Sequence, residues 1–327
     1  MVTWGILSTA AINDDVLAGA RLSDRVRVVA VASRDPGRAA DYAAERGIER
    51  AYGSYEALLA DPEIEAMYIS VPNGLHVEWS IRALEAGKHV LCEKPFAGQA
   101  DGAEEAFDAA ERNDRFLMEG FMYRHHPQTK KLKALVADGE VGELRLIRVA
   151  FSFSLTELGD VRMRPELDGG SLMDVGSYCV SMIRLLAGEP MSVTAAQVVG
   201  STGVDVRFAG TLAFPGEVLA HFDCAFDLPY RSEVEVVGSD GVLRVADPFA
   251  LGPSGLGAAG IEVRRGDDVE LVEVAPANHF TLELENLGDA IRGEGDPLLG
   301  RTEVVSQARV IEALRHAAED GVAVEFD

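Results

Sequence analysis

The sequence predicts an α/β protein of two domains, a parallel sheet with helices on both faces followed by an open, mostly antiparallel sheet with helices. Over residues 1–121 short apolar strands alternate with helical stretches, the pattern of repeated β-α-β units. From Val193 onward seven short strands follow one another. Turns such as Pro215-Gly216, Ser239-Asp240-Gly241 and Gly266-Asp267-Asp268 separate them, as antiparallel hairpins require. The chain's 327 residues also exceed the ~250–300 at which a single core stops growing. The domains are expected at 1–121 and 122–327.

Residues 4–7 form the first strand and run into Ser8, Thr9, Ala10, Ala11 and Ile12, then a helix to about Arg21. A strand, a turn of small residues and a helix N-terminus present backbone N–H groups to a pyrophosphate. Ser8, Ala10 and Asn13 stand where a dinucleotide-binding turn carries glycines. Ser8 and Ala10 still permit close approach, whereas Asn13 departs further from the pattern. A second strand, 26–32, ends at Ser33-Arg34-Asp35. An acidic residue at this point holds the ribose 2′-hydroxyl of NAD, and an arginine pairs with the 2′-phosphate of NADP. Ser33 and Arg34 favour NADP, with Arg38 as a further cation. Asp35 restores NAD if its carboxylate turns inwards.

A helix over 36–46, a strand at 51–52 and a helix opened by Ser54 as N-cap follow. The buried strand 66–71 ends at Val71, Pro72 and Asn73. His76 opens a helix that stops at Gly87; it either packs locally or lies near the nicotinamide ribose. Strand 90–92 ends at Glu93-Lys94-Pro95, and a helix over 99–112 and a strand at 116–119 complete the domain. The carboxyl ends of these strands line one crevice, where open α/β sheets bind their ligands. An ammonium placed there, as on Lys94, changes pKa readily on desolvation and suits proton transfer. Taken alone, Glu93-Lys94 reads as a surface ion pair.

The net charge of −24 argues against nucleic acid and anionic membranes as partners. Cys92, Cys179 and Cys224 are widely spaced and read as reduced thiols of a cytoplasmic protein. His125-His126 is adjacent rather than i, i+4, and no metal site is expected. No basic segment followed by an apolar run opens the chain, and no stretch of ~20 apolar residues spans a bilayer.

Residues 121–127 cross between domains, a helix covers 128–137 and a strand 144–153. The loop 156–168 carries Arg162 and Arg164, which either contact a ligand or are solvated. Gly169-Gly170 leads to a helix over 172–186, stopped at Gly188 and Pro190. Asp174 and Tyr178 are i, i+4 and share one face of it; alone, Tyr178 reads as a half-buried core tyrosine. Asn278 caps a helix to about Arg292, and Thr302 caps a last helix to 319. Loops 154–168 and 247–260 are expected to shape the pocket.

The stretches WGILSTAAIN, SRDPGRA, YISVPNGLH, GKHVLCEKP and DGGSLMDVGSYCV together resemble the Gfo/Idh/MocA oxidoreductases, and the resemblance runs from Gly5 to the C-terminal helices. It implies a Rossmann domain followed by an α+β domain on a large open sheet. It also implies NADP or NAD as cofactor, sugars and related polyols as substrates, and dimers or tetramers formed through the open sheet face. Many members carry histidine where this chain has Tyr178. Tyrosine there resembles the branch of NADP-dependent D-xylose dehydrogenase, dimeric dihydrodiol dehydrogenase and glucose-fructose oxidoreductase. The resemblance implies that Tyr178 exchanges the hydroxyl proton, since a nearby lysine ammonium such as Lys94 favours tyrosinate, and that Asp174 supports the pair. It places Tyr123 and Arg124 near the active site. The expected activity is NADP-preferring hydride transfer to or from a sugar or vicinal-diol CH–OH group. The alternatives are an NADPH-dependent ketosugar reductase and a non-catalytic NADP-binding regulator.

Overall fold

The computed structural model describes residues 1–249 and 259–326. Of the loop 247–260 expected to shape a pocket, residues 250–258 lie outside the described residues. The chain forms two compact units, each from two stretches. The first comprises Met1–Met122 with Asn278–Val305, the second Tyr123–Ala277 with Ser306–Asp327.

The first unit alternates strand and helix: β1 (Val2–Leu7), α1 (Asn13–Arg21), β2 (Val26–Ala32), α2 (Pro36–Arg46), β3 (Arg50–Tyr52), α3 (Tyr55–Leu59), β4 (Ala66–Ile69), α4 (His76–Glu85), β5 (His89–Glu93), α5 (Ala100–Arg112) and β6 (Leu117–Gly120). All six strands are parallel, in the order β3-β2-β1-β4-β5-β6. The order reverses between β1 and β4, so the segments after Leu7 and Ile69 lie side by side at the switch point. The strands read as continuous apolar runs because both faces are covered: Ile6, Leu7, Val31, Met67, Ile69, Val90 and Leu91 are 0% exposed. Asp35 and Ser54 cap α2 and α3 with their side chains, and Gly87 ends the α4 turn at φ +79°.

The second unit begins with α6 (Pro127–Ala137), β7 (Leu144–Ser154) and α7 (Ser177–Ala187). Then come β8 (Ser192–Val199), β9 (Asp205–Phe214), β10 (Val218–Ala225), β11 (Asp227–Gly238), β12 (Val242–Ala246), β13 (Ala259–Arg265) and β14 (Asp268–Val274). α8 (His279–Ile291) belongs to the first unit, whereas the residues of α9 (Arg301–Asp320) are shared between the two. β15 (Val324–Glu325), which no sequence pattern announced, closes the sheet beside β8. The nine strands run β14-β13-β12-β11-β7-β10-β9-β8-β15 and are antiparallel except for the β7–β10 pair. α7 packs on the face that carries Ile147, Val149 and Phe151. The alternate residues look out from the other face, where Arg148 and Arg244 both pair with Glu235.

Two expectations change in detail. Residues 172–176 are a π-helix rather than the start of an α-helix. Thr302 lies inside the first turn of α9, which already begins at Arg301. α8 packs against α1: the Thr281 hydroxyl donates to the Gly19 carbonyl at 2.7 Å, and a Cβ on Gly19 would sit 2.8 Å from that of Phe280. Asn278 does cap α8, accepting from the Thr281 amide at 2.9 Å.

Candidate active site

In the first unit the turn after β1 is closed by side chains rather than by glycine. Ser8 takes φ +135°, a conformation that costs a non-glycine residue about 1–3 kcal/mol. Its hydroxyl lies 2.9 Å from the Ser70 carbonyl and 2.8 Å from the Ser70 hydroxyl. The Ser70 hydroxyl donates to Asn13 Oδ1 at 2.6 Å, and Asn13 Nδ2 donates back to the Ser8 carbonyl at 3.0 Å. Asn13 is 0% exposed, whereas Thr9, Ala10, Ala11 and Ile12 reach solvent. No side chain caps the start of α1; the Asn13, Asp14 and Asp15 amides donate instead to the Ala10, Ala11 and Ile12 carbonyls of the turn, at 3.2, 3.1 and 3.1 Å.

Beside that turn the end of β2 is basic. Arg34 and Arg38 are exposed, and among the described residues neither makes an ion pair, in a chain of net charge −24. An Arg38 amine reaches the Thr9 carbonyl at 3.5 Å, and the Arg34 guanidinium lies close enough to Tyr55 to act on its hydroxyl. Ser33 accepts from the Asp35 amide at 3.2 Å. The Asp35 carboxylate is spent on the helix, accepting from the Gly37 and Arg38 amides at 2.8 and 3.1 Å. These groups fit a 2′-phosphorylated dinucleotide: a cationic patch, an uncapped helix start, and an acidic residue occupied elsewhere.

The other strand ends of this unit are pinned to each other. The His76 ring is 1% exposed, with Nε2 at 2.7 Å from the Val71 carbonyl and Nδ1 at 2.9 Å from that of Pro95. The Phe96 amide donates to buried Glu119 at 2.7 Å. His76 and Glu119 therefore hold the turn carrying Lys94 from two sides, and Lys94, Pro72 and Asn73 are part-exposed at its mouth. The Lys94–Pro95 peptide is cis. Glu93 accepts from the Tyr68 hydroxyl. Glu283 of α8 is buried behind them; burial, then the charge of Glu93, pushes its carboxyl well up.

In the second unit the π-helix Leu172–Gly176 leads directly into α7. Glycines stand at two crowded points along this segment. Gly170, at φ +121°, would place a Cβ 2.1 Å from an Asp205 oxygen, and Gly176 would place one 2.8 Å from Cys224 Sγ. Asp205, from β9, accepts from the Ser171 hydroxyl at 2.6 Å and the Leu172 amide at 2.8 Å, and so tethers the start of this segment. Burial raises the Asp205 carboxyl, and the Ser171 hydrogen bond opposes it. π-turns of this kind recur at functional sites.

Asp174 lies in the π-turn, half-buried, 3.7 Å from an Arg162 amine. Arg162 is itself gripped by Asp160 through two bonds of 2.9 Å, so it faces Asp174 as a fixed cation rather than as a solvated loop residue. Tyr178 is 6% exposed, in an aromatic cluster with Tyr123, Phe151 and Phe249 at centroid distances of 5.8, 5.5 and 5.2 Å. The Tyr123 hydroxyl donates to Ser181 at 2.8 Å, and Arg124 reaches the same hydroxyl at 3.1 Å. Tyr123 is 0% exposed and Arg124 is buried in this chain. Ser70, Asp205 and Ser181 hold candidate groups in place and were not singled out in the sequence, where each is an ordinary polar residue at the end of a strand or inside a helix. A concavity of about 630 Å³ on the open sheet face, lined by Arg148, His221, Glu235 and Arg244, contains none of the predicted site residues. Among the described residues no cluster of three potential metal ligands occurs.

Residues 3–121 match the oxidoreductase family with NAD-binding Rossmann fold, and residues 129–244 match the GFO/IDH/MocA C-terminal domain. The chain is 40% identical to an NADP(+) D-xylose 1-dehydrogenase of Haloferax volcanii, over 99% of both chains. It is 35% identical to a trans-1,2-dihydrobenzene-1,2-diol dehydrogenase of Danio rerio, over 74% of this chain and 73% of that one. Among solved structures it is similar to KijD10, a 3-ketoreductase of Actinomadura kijaniata in complex with NADP and TDP-benzene, with TM-score 0.91, 28% identity and 97% of each chain covered.

Proposed function

We propose that this chain, which belongs to the GFO/IDH/MocA oxidoreductase family, is an NADP-dependent dehydrogenase of sugar or vicinal-diol CH–OH groups. The observation that carries the cofactor choice is the pair of exposed guanidiniums, Arg34 and Arg38, beside an Asp35 already committed to capping α2. The similar NADP(+) D-xylose 1-dehydrogenase and the similar dihydrodiol dehydrogenase support the same class. When bound, NADP supplies the hydride acceptor.

The protein's part is to bind, orient and move a proton. The turn after β1 and the start of α1 take the pyrophosphate, Ser33, Arg34 and Arg38 the 2′-phosphate, and Val71, Pro72, Asn73 and Glu93 the nicotinamide side, with His76 packed locally behind them on the Val71 and Pro95 carbonyls. Tyr178 accepts the hydroxyl proton as the carbonyl forms, with the Lys94 ammonium favouring its phenolate. Asp174, held by Arg162, orients the tyrosine's surroundings. Arg162 flanks the substrate, while Tyr123 and Arg124, both buried on Ser181, support the helix that carries Tyr178. One tyrosine and one lysine are the residue types exchanged in crystallised variants of the similar 3-ketoreductase. That similarity also favours a second reading, reduction of a ketosugar with the same residues run in reverse. The chain acts in the cytoplasm as a homodimer or homotetramer assembled on the open sheet face; three buried free thiols and the exposed Leu219 and Leu271 support these assignments.

The test is reduced-nicotinamide absorbance with purified protein, NADP+ or NAD+, and a panel of aldoses, dihydrodiols and ketosugars. Turnover of an aldose or diol with NADP+ is expected. NAD+ preference overturns the cofactor assignment, and absence of turnover on the whole panel overturns the activity.

A further inference from the structure

We infer that Asn13, through a closed ring of hydrogen bonds with Ser8 and Ser70, is the positioning residue that shapes the cofactor turn in place of the usual glycines. The inference rests on the NADP-binding reading of that turn and concerns what gives it its shape. The donors close without conflict. The single hydroxyl proton of Ser70 goes to Asn13 Oδ1, at 2.6 Å. Ser70 therefore acts as acceptor toward the Ser8 hydroxyl, whose proton is shared between the Ser70 hydroxyl and carbonyl oxygens at 2.8 and 2.9 Å. Asn13 Nδ2 completes the ring at the Ser8 carbonyl, 3.0 Å away. The Ala10 amide, inside the turn, donates to Ser8 Oγ at 3.2 Å, so the ring reaches the turn's own backbone.

The three residues are 7%, 0% and 6% exposed, in the order Ser8, Asn13, Ser70. A circular chain of buried hydrogen bonds polarises each member and is costly to open at any point. It spans three elements: the end of β1, the segment after β4 and the first residue of α1. It thereby holds Ser8 at φ +135°, which serine rarely adopts and glycine adopts freely. In a glycine-built turn the backbone takes this shape because nothing forbids it; here it takes it because the ring requires it. Asn13, the residue that departs most from the glycine pattern, is the one that makes the departure at Ser8 workable.

The experiment uses full-length protein and two probes, NADPH and adenosine 2′-monophosphate, titrated by fluorescence and calorimetry. Asn13→Ala is expected to weaken NADPH roughly 10- to 100-fold. It should leave adenosine 2′-monophosphate, which needs only the Ser33-Arg34-Arg38 side, within about threefold of wild type. Ser70→Ala should weaken NADPH similarly, and the double variant no more than either single one. The decisive variant is Asn13→Ala combined with Ser8→Gly, which should recover most of the lost NADPH affinity because glycine needs no support at that φ. Unchanged NADPH affinity in Asn13→Ala, equal loss of both probes, or failure of Ser8→Gly to rescue each overturns the inference. If wild-type protein binds neither probe, the cofactor reading itself falls.

Discussion

Replacing Arg34 by alanine should convert a strong NADPH preference into a weak one without touching the affinity for NADH. Arg34 and Arg38 are exposed and, among the described residues, have no carboxylate partner, so neither is neutralised within its own unit. A 2′-phosphate brings close to two negative charges and three acceptor oxygens. Hydrogen bonds to charged groups contribute about 1.5–3 kcal/mol, and solvent exposure of the guanidinium argues for the lower end, about 1.5–2 kcal/mol. At about 1.4 kcal/mol per decade this is roughly a 10- to 30-fold rise in the NADPH Kd. NADH, which lacks the phosphate, should stay within about twofold. The wild-type NADPH Kd should also rise with salt more steeply than that of Arg34→Ala, since one screened contact is gone. Asp35→Ala should cost about 1 kcal/mol of stability through loss of the α2 cap and leave both nucleotides unaffected. Fluorescence titration with each nucleotide measures all of this. Equal weakening of NADPH and NADH in Arg34→Ala, or loss of NADH binding in Asp35→Ala, would refute the reasoning.

Asp205→Ala should lower kcat by roughly 10- to 100-fold, because the π-turn carrying Asp174 loses its tether at Ser171 and Leu172, while the NADPH Kd stays put; an unchanged kcat speaks against the tether. His89 gives a pH prediction. Burial first, and then the Arg115 charge, lowers its imidazole to about 4 from 6.5. Between those values the unfolded chain holds more protons than the folded one, so stability rises with pH across that window and the loss is complete below about pH 4. Allowing for the ring's partial exposure, the amount is about 1–2 kcal/mol. Urea melts of wild type and His89→Gln at pH 7 and pH 5 measure it: the variant should lose less stability on acidification, and identical acid limbs would contradict it.

Much of the first unit is legible in the sequence because its signals are local. Apolar runs between helices mark the six parallel strands, and Ser54, Asn278 and Gly87 mark helix ends by their own chemistry. Lys94 and Tyr178 are legible through motifs. What is hidden depends on partners far away in the chain. Nothing near Asn13 announces Ser70, which is 57 residues on. Nothing in the α8 sequence says that it packs on α1, since the Thr281 to Gly19 contact spans 262 residues. A periodic pattern fixes which face of a helix is buried and is silent about which sheet buries it. The π-turn is hidden for the same reason. Leu172-Met173-Asp174-Val175-Gly176 reads as ordinary helix, and its widening goes with Asp205 and Cys224 on β9 and β10. Arg162 shows the converse. As a loop arginine it looks solvated, and only Asp160 and Asp174 on either side make it a fixed charge.

The most direct test compares NADP+-linked turnover of wild type, Lys94→Ala and Tyr178→Phe on the best sugar or diol of the panel, with NADPH binding measured on each protein. Proton transfer by a placed group contributes roughly 100- to 10,000-fold, so both variants should fall by at least ~100-fold in kcat. Tyr178→Phe should keep its NADPH affinity within about threefold. Wild-type kcat in either variant, or a loss in Tyr178→Phe that follows entirely from lost NADPH binding, would contradict the assignment of the proton transfer to this pair.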